Sequence, residues 1–133
     1  MSARSKGRKR ALDILYESDI KSFNPLWLVQ ERTTSVDEIS RFGAELVEGY
    51  GNQAKEIDLL IDKHAKDWDL DRLAHVDRNI LRIATFEILH SQSRAVPVSV
   101  AIDEALELAR TLSTDDSPKY IHGILSAIAK EVG

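Results

Sequence analysis

The 133-residue chain contains no cysteine. This absence excludes disulfide bonds, thiolate zinc sites and a cysteine nucleophile, and it is typical of proteins from a reducing compartment. The chain also lacks any apolar run close to the roughly 20 residues that a membrane-spanning helix needs. Its basic N-terminus does not lead into the apolar stretch of a signal peptide, because Asp13, Glu17 and Asp19 interrupt that stretch. We therefore expect a cytoplasmic protein without a membrane segment.

The motifs that build common active sites are absent as well. There is no G-x-x-x-x-G-K-S/T phosphate loop, no G-x-G-x-x-G dinucleotide motif and no G-x-S-x-G nucleophile elbow. Residues 67–71 resemble the start of a calcium-binding loop, but Arg72 and Arg78 occupy its glycine and glutamate positions. The four histidines lack the i, i+4 spacing of a helical zinc motif: His64, His75, His90 and His122. We therefore predict a protein that is not an enzyme and uses no cofactor or metal ion.

Helical periodicity is present along most of the chain. Apolar residues recur about every 3.6 positions, and no segment alternates with a period of two as a half-buried strand would. Six helices are predicted, at residues 8–20, 36–50, 54–65, 73–90, 97–112 and 117–128. Residues 26–29 form either a seventh, short helix or a loop over the core. Ser35 and Glu38 have the spacing of a capping box, and the aspartates of residues 67–71 are expected to cap the fourth helix.

These elements predict an all-α fold. A chain of 133 residues is long enough to bury a core as one domain. We expect a single domain over 1–133, with a basic arm at 1–10 and two helical subdomains packed together, at about 8–66 and about 70–131. The helix at 73–90 is apolar around most of its circumference, which predicts that it is the central and most buried one.

The charge of the chain is unevenly distributed. Five of the first ten residues are basic and none is acidic, whereas the whole chain has eighteen Lys and Arg against twenty-two Asp and Glu. Without those five cations thirteen face twenty-two, so residues 11–133 carry a net charge of −9. Such an arm attracts phosphate, or it is a solvated tail. On a helical wheel Lys9 and Tyr16 share one edge, where Tyr16 is either a rim residue of the core or a stacking partner for an unpaired RNA base.

A second cation–aromatic pair, Lys119 and Tyr120, opens the last predicted helix. The backbone amides of a helix N-terminus favour anions, so a phosphate is a plausible ligand of this turn. Asp115 and Asp116 oppose that locally, and their alternative role is helix capping.

Five segments of the C-terminal half are distinctive in sequence, order and spacing: LAHVDRNILRIA at 73–84, EIL at 87–89, VP at 96–97, AIDEALELA at 101–109 and DSPKYIHGIL at 116–125. The basic segment RKRALDILY precedes them at 8–16. Together they resemble the NusB family of transcription antitermination factors essentially from end to end. Residues 20–60 resemble that family only in their helical pattern.

The resemblance implies a bundle of six to seven helices in two three-helix subdomains. It also implies an RNA-binding factor that binds the boxA sequence of ribosomal RNA leader transcripts together with NusE, a small-subunit ribosomal protein. The pair would act with other Nus factors and RNA polymerase in a larger complex that promotes processive rRNA transcription. The sequence leaves self-association open.

Residue by residue, the resemblance and the wheel together predict an RNA-binding set: Arg4, Lys6, Arg8, Lys9, Tyr16, Asp116, Lys119 and Tyr120. Asp77 and Arg82 are expected to face NusE. Ser5 and Gly7 interrupt the arm where the family has arginine or a helix former. Since glycine costs a helix about 1 kcal/mol relative to alanine, the arm is expected to become ordered only on RNA.

Two other functions fit the same helices. A NusB-like domain also occurs as the N-terminal, RNA-binding part of some rRNA cytosine methyltransferases, although this chain carries neither their catalytic domain nor a cysteine nucleophile. The other alternative is a structural helical adaptor whose basic arm is only a tail. Binding to boxA RNA, with and without NusE, distinguishes the three.

Overall fold

The structure is a computed structural model that describes residues 2–65 and 73–133. Within those ranges every regular element is a helix, which confirms the all-α prediction. The helices are α1 (Ala3–Lys21), α2 (Pro25–Arg32), α3 (Glu38–Asn52), α4 (Ala54–His64), α5 (His75–Leu89), α6 (Ser91–Arg94), α7 (Val98–Leu112) and α8 (Ser117–Val132). In the described ranges no helix is long and apolar enough to cross a membrane.

Two short helices accompany the six longer ones, so the described residues form eight helices where six to seven are predicted. The helical alternative for residues 26–29 is confirmed, because α2 begins at Pro25 with Asn24 as its cap. The Asn24 side chain accepts a hydrogen bond of 2.8 Å from the backbone N–H of Leu26, so the Asn-Pro pair starts α2. It does not end α1, which stops at Lys21 with Ser22 as a left-handed C-cap. The second short helix, α6, begins directly after the helix predicted at 73–90 and ends at Arg94, the first residue of the predicted connector 94–96.

The start of α3 differs from the prediction. Asp37, not Ser35, is the N-cap, and its side chain accepts a hydrogen bond of 2.8 Å from the N–H of Ser40. That backbone hydrogen bond, with one from Ser35, holds the pKa of Asp37 below its usual value. The prediction that Ser35 and Glu38 form a capping box is therefore wrong. The caps predicted for residues 67–71 lie outside the described residues.

The basic arm is not a separate segment, because α1 already begins at Ala3. The Ser2 side chain caps this helix by accepting from the N–H of Ser5. Ser5 in turn donates to Glu104 on α7. An added Cβ at Gly7 would lie 2.8 Å from Cδ1 of Phe42, so glycine permits α1 to approach α3 closely. The expectation that the arm orders only on RNA is wrong, because both interrupting residues make tertiary contacts.

The predicted central role of the fourth helix is confirmed for α5. It contacts α1, α3, α4, α7 and α8, and it buries apolar side chains on most of its surface. The helix α1 packs most extensively on α3, while α7 and α8 pack on each other and on α5. The division into two three-helix subdomains stays a prediction, since α4 contacts α5 and α8 more than it contacts α3.

The close approach of α1 and α3 leads to a testable prediction about Gly43. An added Cβ at this position would lie 2.9 Å from the backbone oxygen of Gly7, and a backbone atom cannot move aside cheaply. We expect Gly43→Ala to destabilise the protein by about 1–2 kcal/mol, because overpacking outweighs the gain in helix propensity. The change is measured as the free energy of unfolding in urea.

Gly123 of α8 supplies the matched control, because no atom of the described residues, apart from its chain neighbours and its own helix backbone, lies within 4 Å of its added Cβ. Gly123→Ala is expected to stabilise the protein by about 0.5–1 kcal/mol through helix propensity alone. Equal effects of the two substitutions would contradict the close packing of α1 on α3.

Candidate nucleic-acid interface

The solvent-facing side of α1 carries a row of cationic and aromatic side chains. Lys6 is exposed and has no ion pair with any described residue. Lys9 donates to both carboxylate oxygens of Asp13, at 2.7 and 2.9 Å. Tyr16 is 41 % exposed, two helical turns after Lys9. These residues provide a flat ring and two ammonium groups to solvent, as the wheel predicted for Lys9 and Tyr16.

Arg8 lies on a different side of α1 and is buried. Its exposed fraction is 2 %, and its Nε and Nη2 donate to the two carboxylate oxygens of Glu87 at 2.8 and 2.9 Å. Its Nη1 donates to Glu104 at 3.1 Å. A guanidinium held in this way by two carboxylates has no surface to offer a phosphate. The structure gives Arg8 a role in joining α1 to α5 and α7.

Arg4 lies one helical turn before Arg8. Like that of Arg8, its side chain extends toward α3 and not toward Lys9. Its guanidinium carbon lies 5.6 Å from the centre of the Phe42 ring, and that of Arg94 lies 5.1 Å from the same ring. Arg4 is exposed and forms no ion pair within the part of the chain that the structure describes. The arm cations are thus divided between two sides of α1.

The turn into α8 forms the second predicted element. Lys119 is exposed and has no carboxylate partner among residues 2–65 and 73–133. Asp116 is exposed at the N-cap position, but its side chain makes no capping hydrogen bond. Tyr120 is half-buried and its hydroxyl donates to Asp77. Burial, and then the hydrogen bond to Asp77, raise the pKa of Tyr120, so the phenol stays protonated at neutral pH.

Asp77 faces the protein interior. It is 2 % exposed. Besides the Tyr120 hydroxyl, its carboxylate accepts from the hydroxyls of Ser113 at 2.7 Å and Ser117 at 3.0 Å. These hydrogen bonds tie the α7–α8 connection and the first turn of α8 to the start of α5. In this conformation Asp77 shapes the Lys119–Tyr120 turn and presents no surface to a partner.

Arg82 is likewise occupied within the fold. Its Nε and Nη2 donate to the two oxygens of Asp58 at 2.9 and 3.0 Å, and its Nη1 donates to Asn79 at 3.1 Å. The guanidinium carbon lies 4.9 Å from the centre of the Tyr50 ring. Arg82 therefore joins α3, α4 and α5, and any influence on a partner would act through this packing.

The first turn of α5 brings the two predicted elements together. His75, its first residue, has its ring centre 6.2 Å from that of Tyr16, with the two planes at 83°. Two residues later Asp77 contacts Tyr120. The Tyr16 edge and the α8 turn therefore lie on either side of one helical turn. Nothing in the sequence marked His75, because its relation to Tyr16 is created only by the packing of α1 on α5.

The fold and this surface define a class: a small all-helical protein whose exposed cations and aromatic rings converge on the N-terminus of a central helix. The chain belongs to the NusB family, whose family model matches residues 5–130. A transcription antitermination protein NusB from Bifidobacterium longum is 48% identical over 129 residues, which cover 95% of this chain and 67% of the relative. The NusB protein of Saccharopolyspora erythraea is 44% identical over 131 residues, covering 97% of this chain and 88% of the relative.

Solved structures show the same likeness. NusB of T. maritima superposes with a TM-score of 0.86 at 31% identity, over 98% of this chain and 93% of that chain. A chain from a crystal structure of antitermination factors NusB and NusE in complex with dsRNA gives a TM-score of 0.83 at 28% identity, with 98% of both chains covered. The resemblance drawn from the sequence is confirmed. Membership in this family of non-enzymatic factors also confirms that the chain is not an enzyme.

Proposed function

We propose that this protein is a cytoplasmic transcription antitermination factor that binds boxA RNA of rRNA leader transcripts together with NusE. It acts with other Nus factors and RNA polymerase to promote processive rRNA transcription. The observation that carries the proposal is the arrangement of two cation–aromatic pairs, Lys9–Tyr16 and Lys119–Tyr120, on either side of the first turn of α5. The likeness to a NusB chain found with NusE and dsRNA supports both proposed ligands.

The charges favour a weak RNA-binding protein that needs a partner. Only a few cations line the proposed surface, namely Arg4, Lys6, Lys9 and Lys119, and each phosphate that they neutralise on single-stranded RNA adds only about 0.7 to the salt slope of binding. The body of the chain, residues 11–133, carries a net charge of −9 and repels RNA. A second protein that adds its own surface raises the affinity and selects the sequence.

The geometry narrows the roles of the predicted residues. Lys6, Lys9 and Lys119 contact phosphates, with Arg4 contributing from the other side of α1. Tyr16 stacks on an unpaired base.

Tyr120 and Asp116 form the rim of the α8 turn. Arg8, Asp77 and Arg82 position these surfaces, and the NusE-facing role expected of Asp77 and Arg82 is exerted through the packing that they maintain.

Single substitutions in each element test the RNA surface. We expect Tyr16→Ala and Lys119→Ala each to weaken binding of boxA RNA about 5- to 20-fold in the presence of NusE. Tyr16→Ala removes stacking on an aromatic ring, which contributes about 1–3 kcal/mol per base, and Lys119→Ala removes a phosphate contact. Lys119→Ala should also reduce the salt slope by about 0.7. Helix content and melting temperature should stay near those of the wild type, because both side chains lie at the surface. Binding is measured by fluorescence anisotropy.

Lys55→Ala is the matched control, since Lys55 is an exposed lysine of α4 and should leave affinity unchanged. A scrambled RNA tests sequence recognition, and equal affinity for boxA and scrambled RNA with NusE present would exclude boxA specificity. If both surface variants unfold, Tyr16 and Lys119 belong to the core rim and the chain is a structural adaptor.

A further inference from the structure

His75 lies where the two proposed RNA-binding elements meet, yet no role has been assigned to it above. Its side chain is 42% exposed. Its ring stands almost perpendicular to that of Tyr16, whose hydroxyl bonds to no side chain among the described residues. Asp77, on the same helical turn, holds Tyr120. The two exposed rings therefore form a corner between the Lys9–Tyr16 and Lys119–Tyr120 pairs.

The His75 ring is held along one edge only. Its Nδ1 lies 2.9 Å from Oδ2 of Asp19 and 2.8 Å from Nη2 of Arg78. Asp19 is itself fixed by a hydrogen bond of 3.0 Å from the Asn79 amide. Burial acts to raise the pKa of Asp19, but the hydrogen bond from His75 and the charges of Arg78 and Arg82 outweigh it and lower that pKa, so Asp19 stays ionised.

The opposite edge of the ring is left for a ligand. Within residues 2–65 and 73–133, Nε2 of His75 has no hydrogen-bond partner. With Nδ1–H donating to Asp19, the neutral ring presents Nε2 as an acceptor, which can take a hydrogen bond from an amino or ring N–H group on the edge of a nucleobase. A role confined to anchoring Asp19 would use Nδ1 alone and would not require a ring that is 42% exposed beside another exposed aromatic ring.

Two perpendicular rings suit one flat ligand. A base that stacks on one ring directs its edge toward the other, and unpaired RNA bases are commonly recognised by stacking on tyrosine or histidine together with hydrogen bonds to their edges. We propose that His75 is a base-binding residue that forms, with Tyr16, a corner for a single unstacked RNA base. This inference rests on the proposed function and specifies the ligand at the centre of its surface.

Substitution of His75 tests the corner. His75→Ala weakens binding of single-stranded boxA RNA about 5- to 20-fold in the presence of NusE, while the protein stays folded at the assay temperature and its affinity for NusE alone stays unchanged. His64→Ala is the matched control, because His64 lies on α4, where its Nε2 contacts Glu131 at 3.1 Å. Affinities are measured by anisotropy in one buffer at fixed salt.

A second readout follows the base itself. The fluorescent base 2-aminopurine is placed at successive positions of the RNA, and one position should change its emission on binding to the wild type and to His64→Ala. That change should be lost in both His75→Ala and Tyr16→Ala. In a double-mutant cycle the two losses should be less than additive in free energy, since both side chains contact the same base.

The outcomes separate the inference from the function on which it rests. Wild-type binding of RNA together with an unchanged affinity of His75→Ala would overturn the base corner and leave the proposed function intact. Loss of NusE affinity in His75→Ala, without RNA, would assign the ring to the protein partner and equally overturn it. A wild-type protein that binds no RNA even with NusE would refute the proposed function and the corner together.

Discussion

Arg8→Ala is expected to lower the free energy of unfolding by about 3–5 kcal/mol, the cost of leaving one partner of a buried ion pair uncompensated. Glu87 is 1% exposed and takes both of its strong hydrogen bonds from Arg8, so it would remain buried with no cation beside it. Glu104 would lose a smaller contribution, because it is partly exposed to solvent. The change is measured by urea denaturation followed by circular dichroism.

The double variant Arg8→Met, Glu87→Met distinguishes the cost of an uncompensated buried charge from the contribution of the ion pair itself. Replacing a buried ion pair by apolar side chains of similar volume is often nearly neutral, so the double variant should recover most of the stability that Arg8→Ala loses. Lys6→Ala is the matched control on the same helix and should stay within about 0.5 kcal/mol of the wild type. An Arg8→Ala protein as stable as Lys6→Ala, but defective in RNA binding, would restore Arg8 to the RNA surface.

The contrast between Arg8 and Lys9 shows what the sequence can and cannot predict. Neighbouring cations in a basic arm have the same local signal, and periodicity indicates only that they point in different directions from α1. What distinguishes them is the presence of Glu87 opposite Arg8, a carboxylate 79 residues away in the chain. Local pattern contains no information about such a pairing, so the sequence alone predicts that the cations of the arm form one surface.

The fold could be predicted more completely than the site, because helical periodicity and capping signals are local properties of the sequence. The periodicity of residues 97–112 and 117–128 and the proline signals at Pro97 and Pro118 give α7 and α8 to within a residue at their N-terminal ends. The apolar circumference of α5 predicts its central place. The errors lie where a residue contacts one that is distant in the sequence. Helix propensity counts Gly7 only as a cost to α1, whereas in the fold its missing Cβ leaves room for Phe42.

Asp77 and Arg82 illustrate the same limit at the candidate site. The resemblance implies that both lie on the central helix and face NusE, and both do lie on α5, but it could not show that their side chains turn inward. Asp77 is used by three hydroxyl groups from the α7–α8 region. Within the fold Asp77 therefore anchors the first turn of α8, and this structural role has a measurable consequence.

Asp77→Ala is expected to destabilise the protein by about 3 kcal/mol and to weaken RNA binding about 10-fold even when folded. The first effect follows because hydrogen bonds to a charged group contribute about 1.5–3 kcal/mol each and the buried Ser117 hydroxyl would lose its carboxylate acceptor. The second follows because Tyr120 and the adjacent Lys119 would no longer be held against α5. Stability is measured in urea, and RNA affinity at a temperature where more than about nine-tenths of the variant is folded.

Asp116→Ala controls for charge, since Asp116 is an exposed carboxylate at the same turn and its side chain makes no capping hydrogen bond. Its removal should change stability by less than about 0.5 kcal/mol, and by reducing local repulsion it should leave RNA affinity equal or slightly higher. Asp77→Asn keeps one acceptor oxygen and should fall between Asp77→Ala and the wild type in both measurements. If Asp77→Ala instead lost NusE binding while retaining RNA affinity and stability, Asp77 would be the direct partner contact that the resemblance implies. The ranking of Asp77→Ala, Asp77→Asn and Asp116→Ala in stability and RNA affinity therefore decides between two roles for Asp77. It either contacts a partner directly or holds the RNA-binding turn of α8 in place.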